Sequence, residues 1–406
     1  MYDFGRLSAT YQEILLAQVV PFWLAYSRDE RCGGYFDLLM HTGDPLDADK
    51  HVVRQAEQVW SFAYLYNEID ARPAWLEHAR HGADFLYQFA HDDRLNCYAV
   101  LDRRGRPVAP ATDITPDCAV AMAYAQLHRA TGADEWAMLA KQTLTAALQR
   151  RADSRREADE LSTFRVVRRL REPVSLLKTV LEMQPLLDEE AGQALLTDVL
   201  AELNEFVDKR QDLLREYILP GGAFFNVPQG RRISPTLIFE AAGYLLDAAN
   251  RSRQRKLAMQ AVAWAIRLCD WAWDDTAGGF PQWLDQKQVP SAFPDATNRL
   301  VSTHLEALAT LAKGYLYTHH PDAPRWLKKI HEYSLRVFPD NAPQHHTTGR
   351  SWQLLVTPDG QALTPLRASA DSSCYPFVRC LSDAWRLLDQ CAQLQPTARP
   401  TQLFRP

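Results

Sequence analysis

The chain has 406 residues, 47% of them apolar, and a formal net charge of −5 at pH 7, which predicts a globular protein with a sizeable core in one large domain or in two or three ordinary ones. The mildly acidic balance excludes the basic footprint of a nucleic-acid-binding protein. No apolar run approaches the ~20 residues that a membrane-spanning helix needs, so we expect neither a nucleic acid nor a membrane as partner.

The N-terminal stretch MYDFGRLSATYQEILLAQVVPFW lacks the basic region and the small-residue cleavage site of a secretory signal. It therefore predicts the first helix of the fold and a cytoplasmic protein. The seven cysteines are scattered and form no CxxC pair. This pattern is typical of reduced thiols rather than of a disulfide framework or a zinc site.

Helical periodicity dominates the rest of the chain and predicts about twelve amphipathic or buried helices. The predicted helices are Leu7–Tyr26, His51–Glu68, Trp75–Ala90, Asp117–Thr131, Glu135–Arg150, Pro173–Leu187, Glu190–Leu214, Thr236–Ala249, Gln254–Trp273, Leu300–Thr318, Pro324–Val337 and Ser372–Ala392. Outside them, strand-like alternation is confined to short pieces.

These short pieces form a repeat, and they begin at Gly33, Asn96, Gly221, Gly278 and Gly349. Each combines a small residue, an aromatic residue, a few extended residues and a polar turn. Their spacing is about 60 residues with one double gap, and each interval holds two helices. About six such units predict an all-α protein, an (α/α)6 barrel or toroid with short β-hairpin-like loops at one end; an open solenoid is the alternative.

The double gap coincides with a charged, arginine-rich segment, Ala152–Glu172. This segment is interpreted either as a solvated connector or as a lid that contacts an anionic sugar. No compositional shift divides the chain, so we expect a single barrel domain over residues 1–393. A Pro-rich C-terminal tail over residues 394–406 completes the sequence.

The stretch KHVVRQAEQVWSFAYLYN places Glu57 on one helical stripe with Val53, Trp60 and Tyr64, and Arg54 lies one turn earlier. A surface ion pair and the wall of a sugar pocket both explain this pattern. The 11 Trp, 15 Tyr and 16 Phe residues of the chain suit sugar binding, but a large helical core uses aromatic residues equally freely.

Nucleotide-binding and hydrolase motifs are absent from the sequence, which contains no GxGxxG, GxxxxGK[ST], HExxH or GxSxG. The sequence therefore predicts no cofactor and no metal. In an (α/α)6 barrel, polar residues on the inner helices line the pocket. The candidates are Arg54, Glu57, Asp117, Lys178, Glu240, His304, Glu306, Tyr375 and Arg379. Alternatively, Glu306 is a first-turn residue favoured by the helix dipole, and Tyr375 is where the chain turns before Pro376.

Three blocks of the sequence resemble the N-acylglucosamine 2-epimerase family. They are RCGGYFDLLMHTGDPLDADKHVVRQAEQVWSFAYLYN, GGFPQWLDQKQ followed by STHLEALATLAKGY, and YPFVRCL. The likeness runs from Tyr11 to Leu388 with consistent spacing. The resemblance implies an (α/α)6 barrel, a cytoplasmic homodimer, and a free small-molecule sugar bound at the barrel mouth.

The chemistry implied by this resemblance is proton transfer beside the carbonyl of the sugar. A base removes the C2 proton, an enediolate forms, and an acid returns a proton in 2-epimerisation or in aldose–ketose isomerisation. In the family two histidines usually serve as acid and base. An arginine and a glutamate hold the sugar and its developing oxyanion.

The chain departs from the family pattern at several positions. The family's arginine aligns with Glu57, and its two histidines align with Leu237 and Pro376. Its tryptophan pair aligns with Val301 and Ser302. The matching positions at the mouth are Trp60, Asp117, His304, Glu306 and Arg379. The barrel is therefore expected to persist without the two histidines that usually transfer the proton.

Three hypotheses about function stay open. The first is a sugar 2-epimerase or isomerase in which Glu57 or Glu306 is the base and His304 or His51 its partner, since burial raises the pKa of a carboxyl group towards neutrality. The second is a non-catalytic sugar-binding or regulatory descendant. The third is a glycoside hydrolase with two carboxylates, such as Glu57 with Glu306 or Asp117. The expected substrate-binding residues are Arg54, Trp60, Asp117, Lys178, Glu240, Tyr375 and Arg379.

Overall fold

The computed structural model describes residues 3–160, 167–340, 352–369 and 372–394 of the chain. Three predicted features lie wholly or partly outside these residues. They are the start of the repeat at Gly349, the tail after Leu394, and residues 161–166 of the arginine-rich segment.

Helices make up most of the described residues. In chain order they are α1 (Phe4–Glu13), α2 (Val20–Tyr26), α3 (Val52–Glu68), α4 (Pro73–Phe89), α5 (Thr115–Thr131), α6 (Asp134–Glu160), α7 (Arg171–Met183), α8 (Glu189–Glu205), α9 (Pro228–Arg231), α10 (Pro235–Arg251), α11 (Arg255–Ala272), α12 (Val301–Thr318), α13 (Ala323–Val337) and α14 (Tyr375–Leu394). A π-helical turn, Ile14–Val19, joins α1 to α2. None of the helices in this described part of the chain is long and apolar enough to cross a membrane.

The all-α prediction is confirmed, and each predicted helical segment overlaps a helix of the structure. The helix α6 continues past the predicted end at Arg150 to Glu160, into the arginine-rich segment. The prediction Glu190–Leu214 is wrong beyond Glu205, where α8 ends. Asp208 accepts the backbone N–H of Arg210 at 2.9 Å and pairs with Arg215 at 3.0 Å. Because these side-chain bonds favour a turn over a helix, the chain forms a β-hairpin after α8.

Two concentric rings of helices build the barrel. The inner ring runs through α3, α5, α7, α10, α12 and α14, and it closes because α14 contacts α3. The outer partners of these helices are, in the same order, α4, α6, α8, α11, α13 and α1. The last inner helix therefore packs against the first outer helix, and the two ends of the chain together close the (α/α)6 barrel.

Short strands lie in the loops that precede the inner helices. In chain order they are β1 (Leu38–Met40), β2 (Pro45–Leu46), β3 (Lys50–His51), β4 (Tyr98–Leu101), β5 (Pro107–Pro110), β6 (Arg168–Arg169), β7 (Val207–Asp208), β8 (Leu213–Leu214), β9 (Tyr217–Leu219), β10 (Ala223–Phe224), β11 (Arg232–Ile233), β12 (Leu284–Asp285), β13 (Arg299–Leu300), β14 (Leu355–Val356) and β15 (Leu366–Ala368).

Strand pairing joins neighbouring units of the barrel. Some pairs are local hairpins, such as β1 with β2 and β4 with β5. Other pairs join one unit to the next: β3 pairs with β4, β6 with β9, β11 with β12, and β13 with β14. In each of these pairs the first strand precedes an inner helix, and the second strand lies after the next outer helix. Strand β1 pairs with β15 in the same way, with Leu39 opposite Ala368. Among the described residues, strand pairing therefore links every neighbouring pair of these loops except the loops before α5 and α7.

Two of the loops, DERCGGY and DDTAGGF, share one construction. In both, the N–H of the first glycine donates to the carbonyl oxygen of the first aspartate, at 2.9 Å and 2.8 Å. A cation from the strand before an inner helix closes each loop. Lys50 Nζ lies 3.1 Å from Asp29 Oδ2, and Arg299 Nη2 lies 2.7 Å from Asp274 Oδ2. The two loops are thus anchored to α3 and α12 by buried charge.

Asp29 carries the more buried of these two carboxylates, since its side chain has no exposed surface. It pairs with a second cation, Arg103, whose Nε lies 2.8 Å away. Burial raises the pKa of Asp29, but the bonds and charges of Arg103 and Lys50 outweigh burial and lower the pKa to about 2. The carboxylate is therefore ionised in the folded protein at all but strongly acidic pH.

Replacing Asp29 by asparagine should lower the free energy of unfolding by about 3 kcal/mol at pH 7, because Lys50 stays buried without its charge partner. The folded-state pKa lies below the unfolded value, so this contribution is fully present above about pH 4 and is lost as the pH falls towards 2. Urea unfolding at pH 7, 4 and 3 measures the difference, with exposed Asp93→Asn as control. A destabilisation that stays constant with pH would contradict the ion-pair account.

Candidate functional site

Three glutamates occupy equivalent positions on three inner helices. Glu57, Glu240 and Glu306 are each the sixth residue of their helix, in α3, α10 and α12 respectively. Since the inner helices all begin beneath the loops, these carboxylates lie at similar depth in the barrel. Each one is paired with a cation. The pairs are Glu57 with Arg54, Glu240 with Lys178, and Glu306 with Arg379.

Glu57 is both an ion-pair partner and part of the inner wall. Its Oε2 lies 2.5 Å from Arg54 Nη1, and its side chain is only 11% exposed. The same oxygen accepts the hydroxyl of Ser373 at 2.7 Å, and Ser373 accepts the backbone N–H of Tyr375 at 3.2 Å. The carboxylate of Glu57 therefore links α3 to the start of α14, where the inner ring closes.

The pair of Glu306 and Arg379 is the most buried of the three, with side chains 5% and 7% exposed. Arg379 Nη2 donates to Glu306 Oε1. Among the described residues, Glu306 Oε2 and Arg379 Nε have no hydrogen-bond partner. Burial raises the pKa of Glu306, the charge of Glu240 raises it further, and Arg379 offsets only part of the shift.

Glu240 has the opposite electrostatic balance. Its Oε1 lies 3.3 Å from Lys178 Nζ. Burial acts to raise the pKa of Glu240, but Lys178, Arg379 and Arg171 together lower it below its usual value. The site therefore holds two carboxyl groups, Glu240 and Glu306, whose pKa values are displaced in opposite directions.

Aromatic rings lie among these charges. Trp60 stacks on Tyr64 with ring centroids 4.7 Å apart and contacts Tyr375 edge-on at 5.0 Å. Lys178 Nζ lies 5.4 Å from the centroid of the Tyr375 ring, although α7 and α14 stand on opposite sides of the inner ring. Side chains from opposite helices meet here, so this cluster marks the axis of the barrel.

A second layer of charge lies deeper in the barrel. Lys313 Nζ lies 2.7 Å from Asp247 and 2.9 Å from Asp383, and Asp383 is 3.8 Å from Arg379. On their helices, Asp247 follows Glu240 by seven residues, Lys313 follows Glu306 by seven, and Asp383 follows Arg379 by four. These spacings place the two members of each pair on one face of the helix. The sequence analysis missed this layer, although that spacing is visible in the sequence.

Two further axial residues, Tyr244 and Ser373, were also missed. Tyr244 follows Glu240 by four residues and reaches the hydroxyl of Tyr375 at 2.7 Å. Its helical spacing was available, but a buried tyrosine in an apolar helix resembles any core residue. Ser373 lies before α14, and nothing local in the sequence indicates that it meets Glu57.

Two predicted site residues, His304 and Asp117, face the outer layer instead of the axis. His304 Nε2 accepts the backbone N–H of Phe280 at 3.1 Å, and its Nδ1 donates to a backbone carbonyl at 2.8 Å. The imidazole stacks on Tyr333 of α13. Asp117 accepts the N–H of Cys97 at 2.9 Å and lies 2.5 Å from an arginine of α6.

These two residues fix loops to inner helices. Gln55 does the same on α3, where its Oε1 accepts the N–H of Tyr35 at 2.8 Å. Gln55 and His304 are each the fourth residue of their helix. Burial lowers the pKa of His304 to about 3, so the imidazole is neutral with both nitrogens occupied. The structure does not bring it to Glu306.

The positions that align with the family's histidines are apolar in the structure as in the sequence. Leu237 is buried in the first turn of α10, and Pro376 is half-buried in the first turn of α14. His51, the other predicted partner of a catalytic carboxylate, binds Asp37 at 2.8 Å just before α3. The titratable groups found at the axis are therefore carboxyl, ammonium, guanidinium and phenol groups.

Metal-binding groups were sought over the same ranges. Within the part of the chain that the structure describes, no cluster of three His, Cys, Asp or Glu side chains is arranged to hold a metal ion. All seven cysteines are free thiols.

Comparison with known proteins gives consistent matches over most of the chain. The sequence profile described as N-acylglucosamine 2-epimerase (GlcNAc 2-epimerase) matches residues 34–379. The N-acylglucosamine 2-epimerase of Bos taurus is 27% identical over 383 residues, which cover 92% of this chain and 89% of the relative.

Solved structures share the fold at lower identity. A cellobiose 2-epimerase from Bacillus thermoamylovorans superposes with a TM-score of 0.79 at 16% identity, over 94% of this chain and 99% of that one. A D-mannose isomerase superposes with a TM-score of 0.74 at 15% identity, over 94% and 97% of the two chains. These structures support the assignment of the barrel architecture.

The placement of His304 yields a prediction about substitutions. His304→Gln should change the free energy of unfolding by less than about 1 kcal/mol, because a glutamine oxygen accepts the equivalent N–H at Gln55. His304→Leu should cost about 2 kcal/mol, since the buried N–H of Phe280 loses its acceptor. Urea unfolding distinguishes the two variants. A folded H304Q protein that had lost all sugar turnover would show instead that the imidazole takes part in the reaction.

Proposed function

The chain belongs to the N-acylglucosamine 2-epimerase family, and on that basis we propose that it acts on a free sugar as a 2-epimerase or aldose–ketose isomerase. The sugar binds at the barrel axis, beneath the loops. The polar and aromatic side chains that converge there support this location. The proposed binding residues are Arg54, Trp60, Lys178, Tyr375 and Arg379.

In this proposal two carboxyl groups carry the proton transfer that histidines usually perform. Glu240, with its lowered pKa, is ionised near neutral pH and removes the proton from C2. Glu306, with its raised pKa, holds a proton more readily and returns it to the enediolate. In the reverse direction the two groups exchange roles. Glu57 is held by Arg54 and Ser373, which suits a binding role better than a catalytic one.

One observation carries the proposal: adjacent carboxyl groups have environments that move their pKa values apart. Such a separation is what an acid–base pair needs. Both groups are buried, but at Glu240 the charges of Lys178, Arg379 and Arg171 outweigh burial. At Glu306 burial and the charge of Glu240 outweigh Arg379 and Lys313. Among the described residues Glu306 Oε2 and Arg379 Nε have no partner, so they supply the oxygen that carries the transferred proton and a donor for a ligand.

A second candidate function is sugar binding without catalysis. Leu237 and Pro376 cannot titrate, and the three glutamates at the axis are all paired with cations. Such a site would hold a neutral sugar through hydrogen bonds and aromatic stacking alone. Hydrogen exchange at C2 separates this candidate from the enzyme.

The test is proton NMR of sugars in D2O with the purified protein. The panel contains N-acetylglucosamine, N-acetylmannosamine, glucose, mannose, fructose and cellobiose. We expect the C2–H signal of at least one sugar to disappear as solvent deuterium enters. Glu306→Gln and Glu240→Gln should each slow this exchange by a factor of about 100 or more, because each removes one partner of the proton transfer.

Glu202→Gln is the matched control. Glu202 is a buried carboxylate paired with Arg151, Arg155 and Arg168 in the outer layer, away from the axis. Its substitution should lower stability without slowing exchange. If no sugar of the panel exchanges while one shows ligand line-broadening, the protein is a binder. Exchange that survives both E306Q and E240Q would refute the carboxylate mechanism.

The pH profile gives a further check on the mechanism. Exchange should decrease at acidic pH as Glu240 becomes protonated, and at higher pH as Glu306 loses its proton. In Glu240→Gln the residual exchange should lack the acidic decrease. A profile that stays flat across both limbs in the wild-type protein would contradict these roles.

We also propose that the protein is a cytoplasmic homodimer that uses no cofactor. The family resemblance supports the dimer, and the free state of the seven cysteines is consistent with a reducing compartment. Sedimentation equilibrium measures the oligomeric state directly. Exchange assays with and without added nucleotide and EDTA test the independence from cofactors.

A further inference from the structure

Two tyrosine hydroxyls meet across the barrel axis. Tyr244 lies on α10 and Tyr375 begins α14, and these helices are separated in the inner ring by α12. Their hydroxyl oxygens are 2.7 Å apart. The two residues are only 8% and 4% exposed, so this contact lies in the interior below the loops.

The proton count of this pair leaves one donor available. Two phenol groups carry two O–H protons, and one proton makes the bond between the hydroxyls. Among the described residues, this is the one hydrogen bond found for either hydroxyl. A buried O–H without an acceptor is unfavourable by about 1–3 kcal/mol. The remaining proton is therefore positioned to bind an oxygen atom that the protein itself does not provide.

Positive charges surround the pair. The guanidinium of Arg379 lies 5.1 Å from the Tyr244 ring centroid and 5.6 Å from that of Tyr375. Lys178 Nζ lies 5.4 Å from the Tyr375 ring, and Lys313 Nζ lies 5.7 Å from the Tyr244 ring. Each of these cations is also paired with a carboxylate, so together they offset part of the cost of a negative ligand oxygen at this place.

The hydroxyls keep their protons under ordinary conditions. Burial raises the pKa of Tyr244 and of Tyr375 well above the usual 10. The charge of Glu240 raises both pKa values further, and Arg379 offsets only part of the effect. The hydrogen bond between the two hydroxyls raises the pKa of Tyr244 and lowers that of Tyr375. The pair is thus a stable hydrogen-bond donor at neutral pH, among ion-paired cations and next to the proposed acid–base carboxyl groups.

We propose that Tyr244 and Tyr375 together form an oxyanion site that binds the charged oxygen of the enediolate. This inference rests on the proposed function. The donor hydroxyl stabilises the negative oxygen that develops when C2 loses its proton, and the second hydroxyl orients and polarises the first. No bond to the sugar is made or broken by the phenol groups, and both hydroxyls remain protonated throughout.

The first test compares the binding of sugars with the binding of enediolate analogues by calorimetry. The probes are glucose and mannose on one side, and gluconohydroxamate and mannonohydroxamate, whose hydroxamate group imitates an enediolate, on the other. Tyr244→Phe and Tyr375→Phe should each weaken hydroxamate binding about tenfold or more and sugar binding much less. The double variant should lose less than the product of the single losses, because the two hydroxyls act as one unit.

Tyr64→Phe is the control variant. Tyr64 is a half-buried tyrosine of α3 whose ring stacks on Trp60 and whose hydroxyl accepts from Arg386 at 3.3 Å. Its loss should leave the ratio of hydroxamate to sugar affinity unchanged. In addition, the shared hydroxyl proton should give a downfield NMR signal that is absent from Y244F and Y375F and that shifts when hydroxamate is added, which a purely structural tyrosine pair would not do.

The outcomes separate this inference from the proposed function. If the wild-type protein exchanges C2–H while both Phe variants bind hydroxamate as tightly as it does, the epimerase stands and the oxyanion site is refuted. If no sugar exchanges but hydroxamate binding depends on both hydroxyls, the oxyanion site stands and catalysis on the sugars tested is refuted. Absence of hydroxamate binding by the wild-type protein also overturns the inference.

Discussion

Charge pairing inside the inner ring is the constraint on which the rest of the structure depends. A carboxylate withdrawn from water without a partner costs several kcal/mol, so each axial glutamate needs a cation. In two of the three pairs the cation comes from the neighbouring inner helix: α7 supplies Lys178 to α10, and α14 supplies Arg379 to α12. The contacts that are available to a sugar are therefore also contacts between adjacent helices. A substitution in one of these pairs therefore affects both the packing of the inner helices and the site.

The internal repeat explains why position decides the role of a residue. Two units share the same order of three residues. A basic residue lies in the loop, a residue that accepts a loop N–H follows five positions later, and an axial glutamate follows two positions after that. The two sets are Lys50, Gln55, Glu57 and Arg299, His304, Glu306. Because the acceptor precedes the glutamate by two residues, the two side chains leave the helix on nearly opposite sides. One faces the outer ring and the other faces the axis, whatever chemistry the residue type allows.

Much of the fold could be predicted from the sequence because helical periodicity and repeat spacing are local properties. The end of α8 could not, since the turn at Asp208 depends on Arg215, which lies beyond it in a hairpin. At the site, the predicted stripe of Glu57, Trp60 and Tyr64 lies on the side of α3 that contacts Ser373 and Tyr375. His304 was misplaced because a histidine in an apolar helix looks the same from sequence whether it faces a ligand or a backbone N–H. Tyr244 was missed because its partner is 131 residues away.

In the proposed mechanism carboxyl groups replace the histidines that are absent at the aligned positions, but their pKa values are adjusted by the same physical effects. A histidine titrates near neutral pH without help, whereas a carboxyl group reaches that range only through burial or like charge. The interior provides both conditions for Glu306, and provides three cations for Glu240. The contact between Arg379 and only one oxygen of Glu306 also affects the pKa of this carboxyl group. A two-oxygen contact would lower the pKa of the carboxyl group further and occupy both oxygens, whereas the observed contact leaves one oxygen and one guanidinium N–H for a ligand.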